Sequence, residues 1–98
     1  MAVGVVAIDK LITRDPSWHR GFPHVTGKRV TVASVARLAA EGATPEEIAG
    51  DRYERLTLAE VHAALAFYYS NRELVDQQVA DEFQEHERLR GEYGRAAR

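Results

Sequence analysis

No cysteine occurs among the 98 residues, which excludes a disulfide framework, a thiolate zinc site and a cysteine nucleophile. No apolar run approaches the roughly 18 residues needed to cross a bilayer. The opening stretch Ala2–Ala7 is apolar, but no basic residue precedes it and Asp9-Lys10 cut it short, so it does not read as a signal peptide. The expectation is a soluble, cytoplasmic protein without a membrane partner. There is a single tryptophan, Trp18. What remains is ordinary globular composition, 45% hydrophobic and 29% charged, enough for one small domain with a thin core.

The net charge of −2 conceals an asymmetry. Up to Arg37, Lys10, Arg14, Arg20, Lys28, Arg29 and Arg37 face only Asp9 and Asp15. From Leu38 onward, seven basic residues face thirteen acidic ones. Such a split suggests two partners of opposite sign, a polyanion at the front and something basic or metal-bearing behind. A mixed, solvated surface is the plain alternative.

The chain divides into a loop-rich front and a helical remainder. Residues 5–13 are rich in β-branched side chains and predict one short strand. Residues 15–28 hold Pro16, Pro23, Gly21 and Gly27 together with Trp18 and Phe22, which predicts an ordered loop in which both rings must pack. Arg29–Val32 predicts a second short strand. Val32, Val35, Ala36, Leu38 and Ala39 then recur at helical spacing, with Gly42 at the stop. Thr44-Pro45-Glu46-Glu47 is a capping box with proline at the first helical position, and opens a short helix ending near Gly50. Thr57-Leu58-Ala59-Glu60 opens a third helix, and Ser70-Asn71-Arg72-Glu73 predicts that the chain stops and restarts. The expected architecture is mainly α: short N-terminal strands, three helices of about 10, 6 and 13 residues and a long C-terminal helix, divided as 1–71 and 72–98. A short second helix turning into a longer third is the outline of a helix-turn-helix; a plain helical bundle shares it.

Catalysis finds no support. His19, His24, His62 and His86 are scattered, and Glu85-His86-Glu87 lacks the second histidine of a zincin helix. Neither Ser17 nor Ser34 sits in a nucleophile elbow, and Gly21–Lys28 ends in Gly-Lys like a phosphate loop but has Arg29 in the Ser/Thr place. The expectation is a non-enzyme with no catalytic residue, metal or cofactor.

Nucleic-acid binding requires cations on phosphates and a third-helix face on bases. Lys28 and Arg29 are the backbone candidates; Arg55, Thr57 and His62 lie where a helix-turn-helix approaches bases or phosphates, with Arg52 near the same turn. The third helix itself is cation-poor, since its exposed positions include Glu60 and His62 but no lysine or arginine. Protein binding has clearer support. Residues 73–92 carry seven acidic side chains against Arg88 and Arg90, with a narrow apolar stripe of Val75, Val79, Phe83, Leu89 and Tyr93, a pattern that suits a groove on another protein and equally a solvated helix packed on its own domain. Edge strands at the front also invite a homodimer through strand pairing.

Gly21-Phe22-Pro23-His24-Val25-Thr26-Gly27-Lys28-Arg29-Val30-Thr31-Val32 resembles the Gly-x-Pro-x-Ile-x-Gly-Thr-Arg-Ile-x-Val signature of the family known as domain of unknown function 433. Ile12-Thr13-Arg14-Asp15-Pro16, Gly42-Ala43-Thr44-Pro45-Glu46-Glu47-Ile48, Tyr53, Leu56-Thr57, Val61, Ala64-Leu65 and Tyr68-Tyr69 follow the family in register, so the resemblance covers roughly residues 8–80. Lys28 replaces the usual threonine and Thr31 the usual proline. The resemblance implies a homeodomain-like helix-turn-helix, a VapB-class antitoxin of a type II toxin–antitoxin system, and a homodimer. Its partner would be a PIN-like ribonuclease toxin with an acidic, metal-binding active site, and it would repress its own operon through operator DNA. On that reading Val75, Val79, Phe83, Arg88, Arg90 and Tyr93 contact the toxin, and Arg88, Arg90 or Arg95 pairs with its metal-binding carboxylates. The rival expectation is a dimeric protein-interaction module that never touches DNA.

Overall fold

The computed structural model describes residues 4–5, 7–51 and 55–96, with the side chains of Asp51 and of 92–96 left aside. Arg52 and Tyr53 lie outside the described residues, as do the side chains of Tyr93 and Arg95. Two short strands, β1 (Ile12–Thr13) and β2 (His24–Val25), precede four helices: α1 (Val32–Ala40), α2 (Pro45–Asp51), α3 (Leu58–Ser70) and α4 (Arg72–Ala96). The fold is mainly helical, as expected, and the helix lengths of 9, 7, 13 and 25 residues follow the sequence pattern.

Two short strands precede the helices as expected, but their extents and the place of the second differ. Of the 5–13 run, Ile8–Lys10 forms a 3-10 turn closed by Lys10 N–H donating to the Ala7 carbonyl, and only Ile12–Thr13 is strand. Its antiparallel partner is His24–Val25, inside the stretch expected as loop, with Ile12 opposite Val25 and Thr13 opposite His24. The 29–32 run is diverted by the helix beyond it. Thr31 makes one bridge to His24 and then caps α1, its hydroxyl accepting from the Ser34 N–H, so Val32 is already helical. The turn between Val25 and Lys28 is closed by Lys28 N–H to the Val25 carbonyl, which Gly27 permits by adopting a φ of 77°.

The helix boundaries are local and chemical. α1 ends in a Schellman arrangement: Gly42 N–H bonds to the Ala39 carbonyl, Ala43 N–H to the Leu38 carbonyl, and Gly42 takes φ 102°. The Thr44/Glu47 capping box forms in both directions, at 3.0 and 3.2 Å, and the Thr57/Glu60 box does the same at 2.8 and 3.1 Å. The restart differs by one residue from the sequence pattern. Ser70 remains the last residue of α3, and the break falls at Asn71, whose carboxamide N–H donates to the Phe67 carbonyl.

α1, α2 and α3 enclose the core with the two strands beside them. Val25, Val32, Val35 and Val61 are fully buried, joined by Val30, Leu38, Ile48, Leu56 and Ala64. Small β-branched side chains, mostly valine, dominate this core. Phe22 is buried at the edge, and Trp18 is half-buried with its indole centroid 4.4 Å from the ring of buried His24. Among the described side chains of α4, Val75 alone is fully buried in this core. The molecule is therefore elongated, 68 Å along its longest axis against 28 and 23 Å across. Among the described residues no helix is long and apolar enough to cross a membrane.

Candidate partner-binding surfaces

The front loop is a strained arch. Asp15 accepts from both the backbone N–H and the hydroxyl of Ser17, and these hydrogen bonds hold its carboxyl below the ordinary aspartate range. The Arg14 side chain donates from Nε to the Gly21 carbonyl at 2.9 Å. Between them His19 and Arg20 are forced to φ 47° and 57°, ahead of Gly21 at 72°. Left-handed non-glycine residues cost about 1 kcal/mol each, so the surrounding bonds must impose this shape. The result is a groove of about 430 Å³ between the arch, α1 and α4, lined by Trp18, His19, Arg29, Ser34, Arg37 and Glu82. His19 Nε2 lies 3.6 Å from Glu82 Oε1 across it, tying the arch to α4.

The five nucleic-acid candidates separate into two kinds. Lys28 and Thr57 are engaged within the fold. Lys28 Nζ lies 2.6 Å from Glu60 Oε1 and donates to the Arg55 carbonyl, joining the loop to the start of α3 across 32 residues of sequence. Glu60 is thus shared between its capping box and Lys28. Burial pulls its carboxyl upward, but the hydrogen bonds from Lys28 and from Thr57 outweigh that and leave it below the ordinary glutamate range. A phosphate approaching Lys28 would compete with Glu60. The Thr57 hydroxyl accepts from the Glu60 N–H. Arg29, Arg55 and His62 are exposed, as is Thr57, while Lys28 is half-buried. On α3 the exposed positions are Leu58, Ala59, His62, Ala66, Tyr69 and Ser70, and they include no lysine or arginine.

α4 carries the protein-binding candidates. Val75 belongs to the core, whereas Val79 is 45% and Phe83 63% exposed, with Leu89 partly exposed further along. Arg88 and Arg90 are exposed and pair within the helix, Arg88 with Glu85 at 2.7 Å and Arg90 with Glu87 at 3.5 Å. The Arg88 hydrogen bond and charge hold Glu85 below the ordinary glutamate range. Such exposed i,i+3 pairs are weak and can be exchanged for an intermolecular carboxylate at little cost. Sequence reasoning did not find His19 or Glu82 as a contact, nor the surface shared by Ile8 and α3, because each joins distant segments. Among the described residues, no three His, Asp or Glu side chains gather as a metal-binding cluster.

These features define a class: a small three-helix domain with a front loop knitted to its third helix and a charged helical extension. Residues 12–68 match the family described as "Protein of unknown function (DUF433)", and the chain belongs to that family. The match covers the loop, both strands and α1 to α3, and stops two residues short of the end of α3. No curated protein and no solved structure matches the chain.

Proposed function

We propose that this chain is an antitoxin-type binding protein, without catalytic activity, that neutralises a PIN-like ribonuclease toxin in the cytoplasm by laying α4 across it. The observation that carries the reading is the exposure of Phe83 and Val79 on an acidic helix that is anchored to its own domain by Val75. A phenylalanine held in water at the centre of a helix face is an anchor awaiting a pocket; burying it is worth about 1.5–3 kcal/mol. Arg88 and Arg90 lie beyond it, able to leave Glu85 and Glu87 for the toxin's metal-binding carboxylates. The test is neutralisation of the ribonuclease by the full chain and by Phe83→Asp. The variant is expected to lose inhibition while keeping its fold; equal inhibition by both would refute the role of α4.

Operator binding is the second arm of the proposal and rests on Arg29, Arg55 and His62, which are exposed. The rival reading, a dimeric interaction module without DNA, is favoured by the engagement of Lys28 with Glu60 and by the cation-free exposed positions of α3. Salt separates the two. A site using two arginines on phosphates loses affinity as salt rises with a log–log slope near −2, whereas the rival has no operator complex at any salt.

A further inference from the structure

The front of the molecule carries three neighbouring grooves that share side chains. Arg14, Pro16 and Arg20 flank one of about 410 Å³. His19, Arg20 and Glu82 line a second of about 200 Å³. The third is the groove of about 430 Å³ between the arch, α1 and α4, where Arg29 and Arg37 join Trp18, His19 and Glu82. Because Arg20 belongs to the first two and His19 to the last two, the grooves follow one another along one surface. Four arginines are set out along that line, and Glu82 is the one acid among the described residues lining it. The backbone is left-handed where the grooves meet, at His19 and Arg20. Unfavourable geometry held at exposed side chains marks a place where their aim matters.

The lining has the chemistry of a nucleic-acid track. Repeated cations match repeated phosphates, and an aromatic ring beside them offers a surface on which any base can stack. Trp18 supplies the ring. Its indole lies 4.4 Å from the His24 ring and 5.4 Å from the His19 ring, centroid to centroid, so the fold fixes it while part of it stays open to the third groove. Arginines in all three grooves call for several phosphates in a row rather than one. The acidic arm selects the form of the strand. Glu82 walls the third groove, the charge of Arg20 reaches Glu85, and residues 73–92 carry seven acidic side chains. A rigid duplex on the arginines would bring its second row of phosphates against that arm, whereas a single flexible strand follows the arginines and avoids it.

We infer that these grooves bind single-stranded nucleic acid, with phosphates on Arg14, Arg20, Arg29 and Arg37 and a base stacked on Trp18. The inference does not rest on the proposed function. It uses no residue of α3 and no toxin, and shares only Arg29 with the operator arm, whose ligand is a duplex.

The single tryptophan makes the test direct, because a base stacking on Trp18 quenches its fluorescence. The full chain is titrated with short oligouridylate and oligothymidylate strands, and with a duplex of the same length, at several salt concentrations. Saturable quenching by the single strands is expected. Affinity should fall as salt rises with a log–log slope of about −2 to −3, roughly −0.7 for each phosphate held. Tighter binding of one oligomer identifies the strand as RNA or DNA, and equal binding means that the sugar is not read; both support the inference. Arg20→Asn removes a charge and keeps a side chain suited to left-handed backbone. This variant and Arg29→Gln, both verified by circular dichroism to keep their helices, should each bind more weakly and with a slope shallower by about 0.7. Arg72→Gln, outside the grooves, serves as the control and should bind as the wild type does. Absence of saturable quenching at low salt would overturn the inference. So would unchanged binding by both folded arginine variants, or a duplex bound as tightly as the single strands.

Discussion

Lys28 shows how one residue's surroundings reassign it. In a glycine-bounded loop beside Arg29, a lysine reads as a phosphate contact, but its ammonium group reaches Glu60 and the Arg55 carbonyl and closes the domain instead. Removing it leaves a nearly buried carboxylate with one ligand fewer, so Lys28→Ala should cost about 1–3 kcal/mol in urea unfolding. A lysine serving phosphate alone would leave the unfolding midpoint unchanged. The same pair sets a pH dependence. Glu60 is held below its ordinary range in the folded state, so the unfolded chain binds its proton first as pH falls. The stability contributed by Glu60 is therefore complete above the ordinary glutamate range and is lost as pH drops through the lower, folded value. Glu60→Gln should flatten that part of the acid unfolding curve; an unchanged curve would assign acid sensitivity elsewhere.

At the scale of the element, helix ends are set by neighbours a few residues apart. Thr57→Ala removes one half of a capping box and should cost about 1 kcal/mol. Gly42→Ala should cost about 1–2 kcal/mol from backbone strain alone, since an added Cβ meets nothing within 4 Å while φ stands at 102°. Both are measured by thermal unfolding, and a Gly42→Ala protein as stable as the wild type would mean that α1 can end another way. This locality is why the helices, the caps and the stripe of α4 were legible in the sequence. Two short strands at the front were legible as well, but their extents and pairing were not, because pairing is decided by partners far along the chain. The valine-rich 29–32 run turns into a cap and a helix once Thr31 finds Ser34, and Ile8–Lys10 closes on itself as a turn. The candidate surfaces follow the same division. Val79 and Phe83 were readable from spacing, whereas the Lys28–Glu60 tie, the His19–Glu82 contact and the groove between Ile8 and α3 depend on long-range packing.

The whole molecule is a compact three-helix domain with an arm. α4 spans about 37 Å at the helical rise of 1.5 Å per residue and meets the domain through Val75, through Asp76 and Arg72 at Tyr68, and through the His19–Glu82 contact. The domain's front carries the positive charge and the arm the negative. In the function proposed above, the arm is the binding element. The most direct measurement is affinity purification of the tagged full chain and of its Phe83→Asp variant from the native host, with mass spectrometry and a ribonuclease assay on the eluate. The account predicts a small PIN-like ribonuclease in near-stoichiometric amount, silent in the wild-type complex and absent from the variant's eluate. Recovery of the chain with no such ribonuclease, or of the same complex with both proteins, would contradict it.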